Sequence, residues 1–211
     1  MKKVNLILLI SIAIIMISCG KNDDKPAVVA IIPLQTGNTW TYVDSTFHTT
    51  YLNVDTSELT IGDYVNINGT AGFKSYSFEN NFHITFLSNT DDQGNFISVG
   101  GYSDKDTLLT LTIQYIKSAQ KGNKWAYQEL SVNPETGIFE SLPVAMTCVN
   151  ADTTIHTPKG DFKCKVYSYT PDEGRDVMYH YISEGVGVIK ATHYEGSRLF
   201  TTSTLIDYKL K

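Results

Sequence analysis

Gln35-Thr36-Gly37-Asn38-Thr39-Trp40-Thr41-Tyr42 and Gln120-Lys121-Gly122-Asn123-Lys124-Trp125-Ala126-Tyr127 carry one pattern, Q-x-G-N-x-W-x-Y, 85 residues apart. The two stretches hold both tryptophans of the chain. Five identities in eight positions, one of them the rarest residue type, point to a duplicated structural unit. Gly-Asn is turn chemistry, because both residues tolerate positive φ. Trp and Tyr two apart lie on one face of a strand. Each unit therefore reads as a tight turn feeding a strand, and the identical placement of the indoles predicts the same core slot in each unit.

The rest of the chain extends this reading. Thr, Tyr, Val, Ile and Phe alternate with polar residues from residue 39 onward, and no stretch shows apolar residues at helical spacing. Short strands are expected at 50–55, 58–61 and 64–67 in the first half, and at 138–140, 144–149 and 153–157 in the second. Turn residues such as Asn68-Gly69 and Pro158-Lys159-Gly160-Asp161 separate them as antiparallel hairpins. The similarity continues beyond the opening unit: Phe73-Lys74 finds Phe162-Lys163, Phe82-His83-Ile84 finds Tyr179-His180-Tyr181, and Thr112 to Tyr115 finds Leu205 to Tyr208. The expected fold is all-β, an antiparallel sandwich or open barrel over residues 30–211. It is built from two tandem repeats, 33–115 and 118–208, whose halves pack on each other.

The N-terminus has another chemistry. Met1-Lys2-Lys3, the apolar run from Val4 to Ile17, and Ser18-Cys19 follow the charged, apolar, small-residue order of a signal peptide over residues 1–18. The apolar run falls short of the roughly 20 residues a membrane-spanning helix needs. Met16-Ile17-Ser18-Cys19 resembles a bacterial lipobox. That resemblance implies that Cys19 becomes the first mature residue, with a diacylglyceryl thioether and an acylated amine, and several acyl chains hold a protein on a membrane where one does not. Residues 19–29 then form a polar tether. Gly20-Lys21-Asn22-Asp23-Asp24-Lys25-Pro26 resembles the signal of surface-exported Bacteroidetes-type lipoproteins, which implies an outer-membrane anchor, with the protein on the periplasmic face or the cell surface. Q-x-G-N-x-W-x-Y, the segment Gly160 to Cys164, and Gly185-Val186-Gly187-Val188-Ile189 are together similar to an uncharacterised class of β-rich envelope lipoproteins.

Composition narrows the chemistry. Loss of residues 1–18 removes two lysines and no acid, leaving 15 Lys and Arg against 22 Asp and Glu. A net charge of about -7 is no footprint for nucleic acid. Cys148 and Cys164 read as two buried thiols, with a disulfide between them as the alternative; the Pro158 hairpin places Ile155 opposite Cys164. The histidines lack zinc-ligand spacing, and His193 is expected opposite Asp176. Gly101-Tyr102-Ser103-Asp104-Lys105 begins like a nucleophile elbow, but Lys105 stands where the second glycine is needed. No cofactor or metal is implied. Trp40 and Trp125 read as core residues, with an aromatic ligand platform as the alternative. The functional expectation is a non-enzymatic lipoprotein that binds a protein or a glycan. The alternative is a β-barrel carrier of a lipid or other apolar molecule, and a hydrolase would require converging carboxylates or histidines.

Overall fold

The computed structural model describes residues 28–79, 82–103, 105–133, 136–170 and 176–211, with the backbone alone at 76–79 and 82–84. Its strands are β1 (Thr39–Phe47), β2 (Leu52–Ile67), β3 (Thr70–Glu79), β4 (Phe82–Thr90), β5 (Phe96–Tyr102), β6 (Thr107–Tyr115), β7 (Lys124–Val132), β8 (Phe139–Thr157), β9 (Gly160–Tyr169), β10 (Asp176–Ser183), β11 (Gly187–Glu195) and β12 (Arg198–Lys209). The chain is all-β, as its alternation requires. Its 12 strands form one antiparallel meander in which β1 pairs with β12. The sheet curls into a nearly closed barrel whose seam lies between β6 and β7, the two ends of the strand order.

The short strands expected at 50–67 and 138–157 are instead two long ones, β2 of 16 residues and β8 of 19. Residues that resemble chain breakers are absorbed by register shifts, at Ile61/Tyr64 in β2 and at Cys148/Asn150 and Asn150/Thr153 in β8. Such bulges bend a strand without ending it. Both long strands therefore serve two neighbours. The first part of β2, Leu52 to Thr60, pairs with β1, and Ile61 to Ile67 pair with β3. Likewise Phe139 to Thr147 pair with β7, and Met146 to Thr157 with β9.

The two Gly-Asn turns hold these bends. The amide of Gly37 donates to the Ile61 carbonyl at 2.7 Å, and the Ile61 amide donates to the Asn38 carbonyl at 2.9 Å. Gly122 and Asn123 make the same two bonds with Cys148, at 2.7 and 2.9 Å. Both glycines have left-handed backbones, with φ of 86° and 90°, where a side chain is strained. The other matched segments fall on strands six apart in the chain: β3 and β9, β4 and β10, β6 and β12.

Two hairpins differ from the expected register. The loop after β8 is Pro158-Lys159, and Gly160 already pairs with Thr157, so Cys164 faces Thr153 while Ile155 faces Phe162. A bulge at Tyr181/Ile182 moves His193 opposite Met178 and Asp176 opposite Glu195. His193 stays near Asp176, with Nε2 3.5 Å from the carboxylate.

Two apolar clusters make the core. One gathers Tyr115, Tyr127, Val144, Met146, Tyr167, Tyr169 and Ile182; the other gathers Trp40, Tyr42, Ile61, Phe162, Cys164, Ile189 and Leu205. The segment before β1 closes one end of the barrel. Ile31 donates its amide to Gly94 in the β4–β5 turn at 2.9 Å, and Gly185 in the β10–β11 turn donates to Ala30 at 3.0 Å. Lys117 fastens the strap from the β6–β7 link, donating to the Val29 carbonyl at 2.7 Å while pairing with Glu184 at 2.8 Å.

Candidate functional site

Among the described residues no buried member of either cluster comes from β3, β4 or β5, although Leu87 on β4 and Val99 on β5 are buried. On that side of the barrel Ser75, Ser88 and Ser98, with Gln114 on β6, line the enclosed space beside Phe86 and Phe96. A serine fills far less volume than the aromatic and aliphatic side chains opposite, and protein interiors otherwise pack to near crystal density. Space is left as a result. A partly open cavity of about 150 Å³ is lined on one side by Trp40, Tyr42, Leu59 and Ile61, and on the other by Ser75, Ser88 and Gln114. A second, of about 240 Å³, shares Ser75, Ser88, Phe96 and Gln114 with it and reaches Tyr127 and Glu129 on β7. The first is mainly apolar and the second mainly polar.

The aromatic side of the cavity is fixed by its polar edges. Trp40 donates its indole N–H to the Val186 carbonyl at 2.7 Å, and the Tyr42 hydroxyl donates to Val188 at 3.0 Å. With those edges satisfied, what faces the cavity is apolar ring surface. Burial pushes the Tyr42 hydroxyl well above its ordinary pKa, so it stays a neutral donor. Gln114 donates to the Tyr115 hydroxyl at 3.2 Å, and that hydroxyl lies 2.5 Å from His180 Nδ1. Burial lowers His180 to about 4, so at neutral pH the ring is uncharged and Nδ1 accepts. Among the described residues Glu129 is the one charged residue lining either cavity. Burial raises its carboxyl above the ordinary range, and a hydrogen bond from Tyr169 opposes that shift.

The polar cavity lies beside the seam, which is bridged by side chains. Trp125 donates to the Gln114 carbonyl at 3.2 Å, and the Gln128 amide donates to Thr112 Oγ1 at 3.3 Å. Farther along, the Phe139 amide donates to Asp106 at 2.9 Å and Ser103 Oγ to Gly137 at 3.1 Å. Gly101 and Ser103 are thus part of a seam fastening. A Cβ on Gly101 would lie 2.6 Å from the Phe139 ring, which explains the glycine by packing.

The residues singled out in the sequence separate. Trp40 is 1% exposed, so it offers no outer platform, though it does line the apolar cavity. Trp125 is only partly buried, set edge-on to Tyr167 at 5.9 Å. The indoles do not occupy one repeated slot: each N–H reaches across to the other half of the chain, one to the β10–β11 turn and one to β6. Cys148 and Cys164 are buried free thiols, one in each core cluster, and not a bridged pair. Burial raises both pKa values, Cys164 to about 12. Cys19 lies outside the described residues. Among the described residues no group of three His, Cys, Asp or Glu side chains is placed to hold a metal ion.

A second concavity escaped the sequence reading. Val177, Tyr179, Tyr181, Tyr194 and Gly196 line a groove of about 270 Å³ on the face of β10–β11 opposite Met178 and His180. Tyr179 and Tyr194 meet edge-to-face at 5.9 Å. The Tyr-x-Tyr alternation at 179–181 was its visible signal.

No protein-family model and no curated protein matches the chain. Among solved structures it is similar to a "putative exported protein with YmcC-like fold" from Bacteroides fragilis, at 12% identity over 86% of this chain and 100% of that one, TM-score 0.49. It is also similar to a "putative lipoprotein" from Parabacteroides distasonis, at 10% identity over 86% of this chain and 99% of that one, TM-score 0.45.

Proposed function

We propose that this chain is a non-enzymatic envelope lipoprotein, anchored in the outer membrane through Cys19, that binds a small molecule inside its barrel. The observation that carries the reading is the cavity between Trp40 and the serines of β3 and β4, Ser75 and Ser88. A wall that sets hydroxyl and carboxamide side chains toward an unfilled space beside aromatic rings has the mixed lining of a ligand site. This favours the carrier alternative over binding on strand faces. The membrane part rests on the sequence from Lys2 to Cys19, and Cys19→Ala is expected to move the protein from the detergent phase to the soluble phase.

A second reading draws on the tyrosine groove of β10–β11, whose rings suit a sugar face or a partner protein. One experiment separates the two. A calorimetric screen of glycans and amphiphiles is run on the unmodified chain, on Ser88→Leu, which fills the cavity, and on a Tyr179→Ala, Tyr194→Ala double variant. Binding lost only in Ser88→Leu supports the interior site; binding lost only in the double variant supports the outer face and overturns the interior one.

A further inference from the structure

Resting on the interior reading, we infer that the ligand is an uncharged amphiphile: a hydroxyl-rich head seated among Ser75, Ser88, Ser98 and Gln114, and a short alkyl tail against Trp40 and Leu59. The two adjoining cavities differ in chemistry and share a boundary, which is the layout a two-part molecule requires. In the polar cavity the lining hydroxyls and carboxamides both donate and accept, matching a sugar-like or glycerol-like head whose own hydroxyls do the same.

Charge decides between head groups. Among the described residues no lysine, arginine or histidine side chain lines either cavity, so a carboxylate or phosphate head would enter without a counter-charge. Glu129 supplies an anion no counter-charge in either protonation state. A cationic head would find only this one half-buried carboxyl, which burial already biases toward its neutral form. An uncharged head avoids both costs. The tail has an equally specific place. Leu59 and Ile61 line the apolar cavity where β2 turns from β1 to β3, and the β2–β3 ladder starts only at the Ile61–Ser75 pair. Chain entry there needs no ladder hydrogen bond to break.

Trp40 supplies the readout, since the chain has two tryptophans and only this one lines the cavity. The chain from residue 19 with Cys19→Ser keeps every described residue and carries no lipid. In this background Trp125→Phe leaves Trp40 as the sole indole, and its emission is followed while octyl-β-glucoside, octanoate or octylamine is added below micelle-forming concentration. The expected result is a saturable shift with octyl-β-glucoside and affinities at least roughly tenfold weaker for the two charged probes, the penalty of an unpaired charge. Calorimetry with both tryptophans present is expected to give the same order, and Ser88→Leu and the milder Ser75→Val are each expected to weaken the glucoside. If a charged probe binds as tightly, the inference about the head group falls while the interior site stands. If no probe shifts Trp40 or releases heat, or if neither serine variant changes binding, the interior site falls with it.

Discussion

The turn at Gly37-Asn38 and the turn at Gly122-Asn123 grip a bent strand with the same pair of backbone bonds, yet their side chains live in different surroundings. Asn38 is 1% exposed; it donates to the Pro33 carbonyl and accepts from the Lys211 amide, tying the strap before β1 to the end of the chain. Asn123 is exposed, and its side chain bonds only locally, accepting from the Gln120 amide at 2.8 Å. Trp40 is enclosed and Trp125 half-open. A repeated motif thus carries a backbone device twice, while the worth of each side chain is set by what the rest of the chain lays over it.

The largest effect that probes this contrast is at the indoles. Trp40→Ala is expected to cost about 3–5 kcal/mol in urea unfolding, the range for a fully buried aromatic, and Trp125→Ala roughly half of that or less. Equal losses would erase the distinction between the two surroundings. Next comes the contact between the halves at Tyr115 and His180. The imidazole pKa falls from an ordinary 6.5 to about 4 on folding, so the unfolded chain takes up a proton first as the medium is acidified. This contribution is therefore fully present above pH 6.5 and is lost as pH falls from there toward 4. It amounts to about 3 kcal/mol at 1.36 kcal/mol per unit. Unfolding midpoints measured at pH 7 and pH 4 should show His180→Gln losing less of its own stability than the parent chain does.

Smaller effects sharpen the comparison at the turns. Asn38→Ala leaves buried backbone groups without partners and is expected to cost about 2 kcal/mol, against about 0.5 for Asn123→Ala. The glycines should behave alike. A Cβ on Gly37 would meet only the end of the flexible Lys211 side chain, and one on Gly122 meets nothing, so at both positions the cost is backbone strain of about 1 kcal/mol. A much larger loss at one of them, by thermal melting, would show that the two turns are not the same device.

What could be read from the sequence divides along the same physical line. Turn chemistry and two-residue alternation are local, so the all-β fold and the Gly-Asn turns were visible. Strand length was not, because a bulge turns residues that look like breaks, such as Asn150 to Asp152, into a bend within β8. Register failed by two residues at Pro158 and at Tyr181, where loop length and a bulge decide it. The site itself was hidden for a stronger reason: Ser75, Ser88 and Ser98 share strand faces with Phe73, Phe86 and Phe96, so alternation marks the face and not the positions on it that leave space. Only closure of the sheet brings Ser75 and Ser88 to the cavity that Trp40 lines. The cysteines were legible as small buried groups, whereas the tyrosine groove depended on which face of β10 the curvature exposes.

The most direct measurement is a crystal structure of the chain grown with octyl-β-glucoside. An alkyl chain lying against Trp40 and Leu59, with the glucose beside Ser88 and Gln114, is the predicted result. Glucoside bound only at Tyr179 and Tyr194, or an interior holding solvent alone at saturating glucoside, would contradict it.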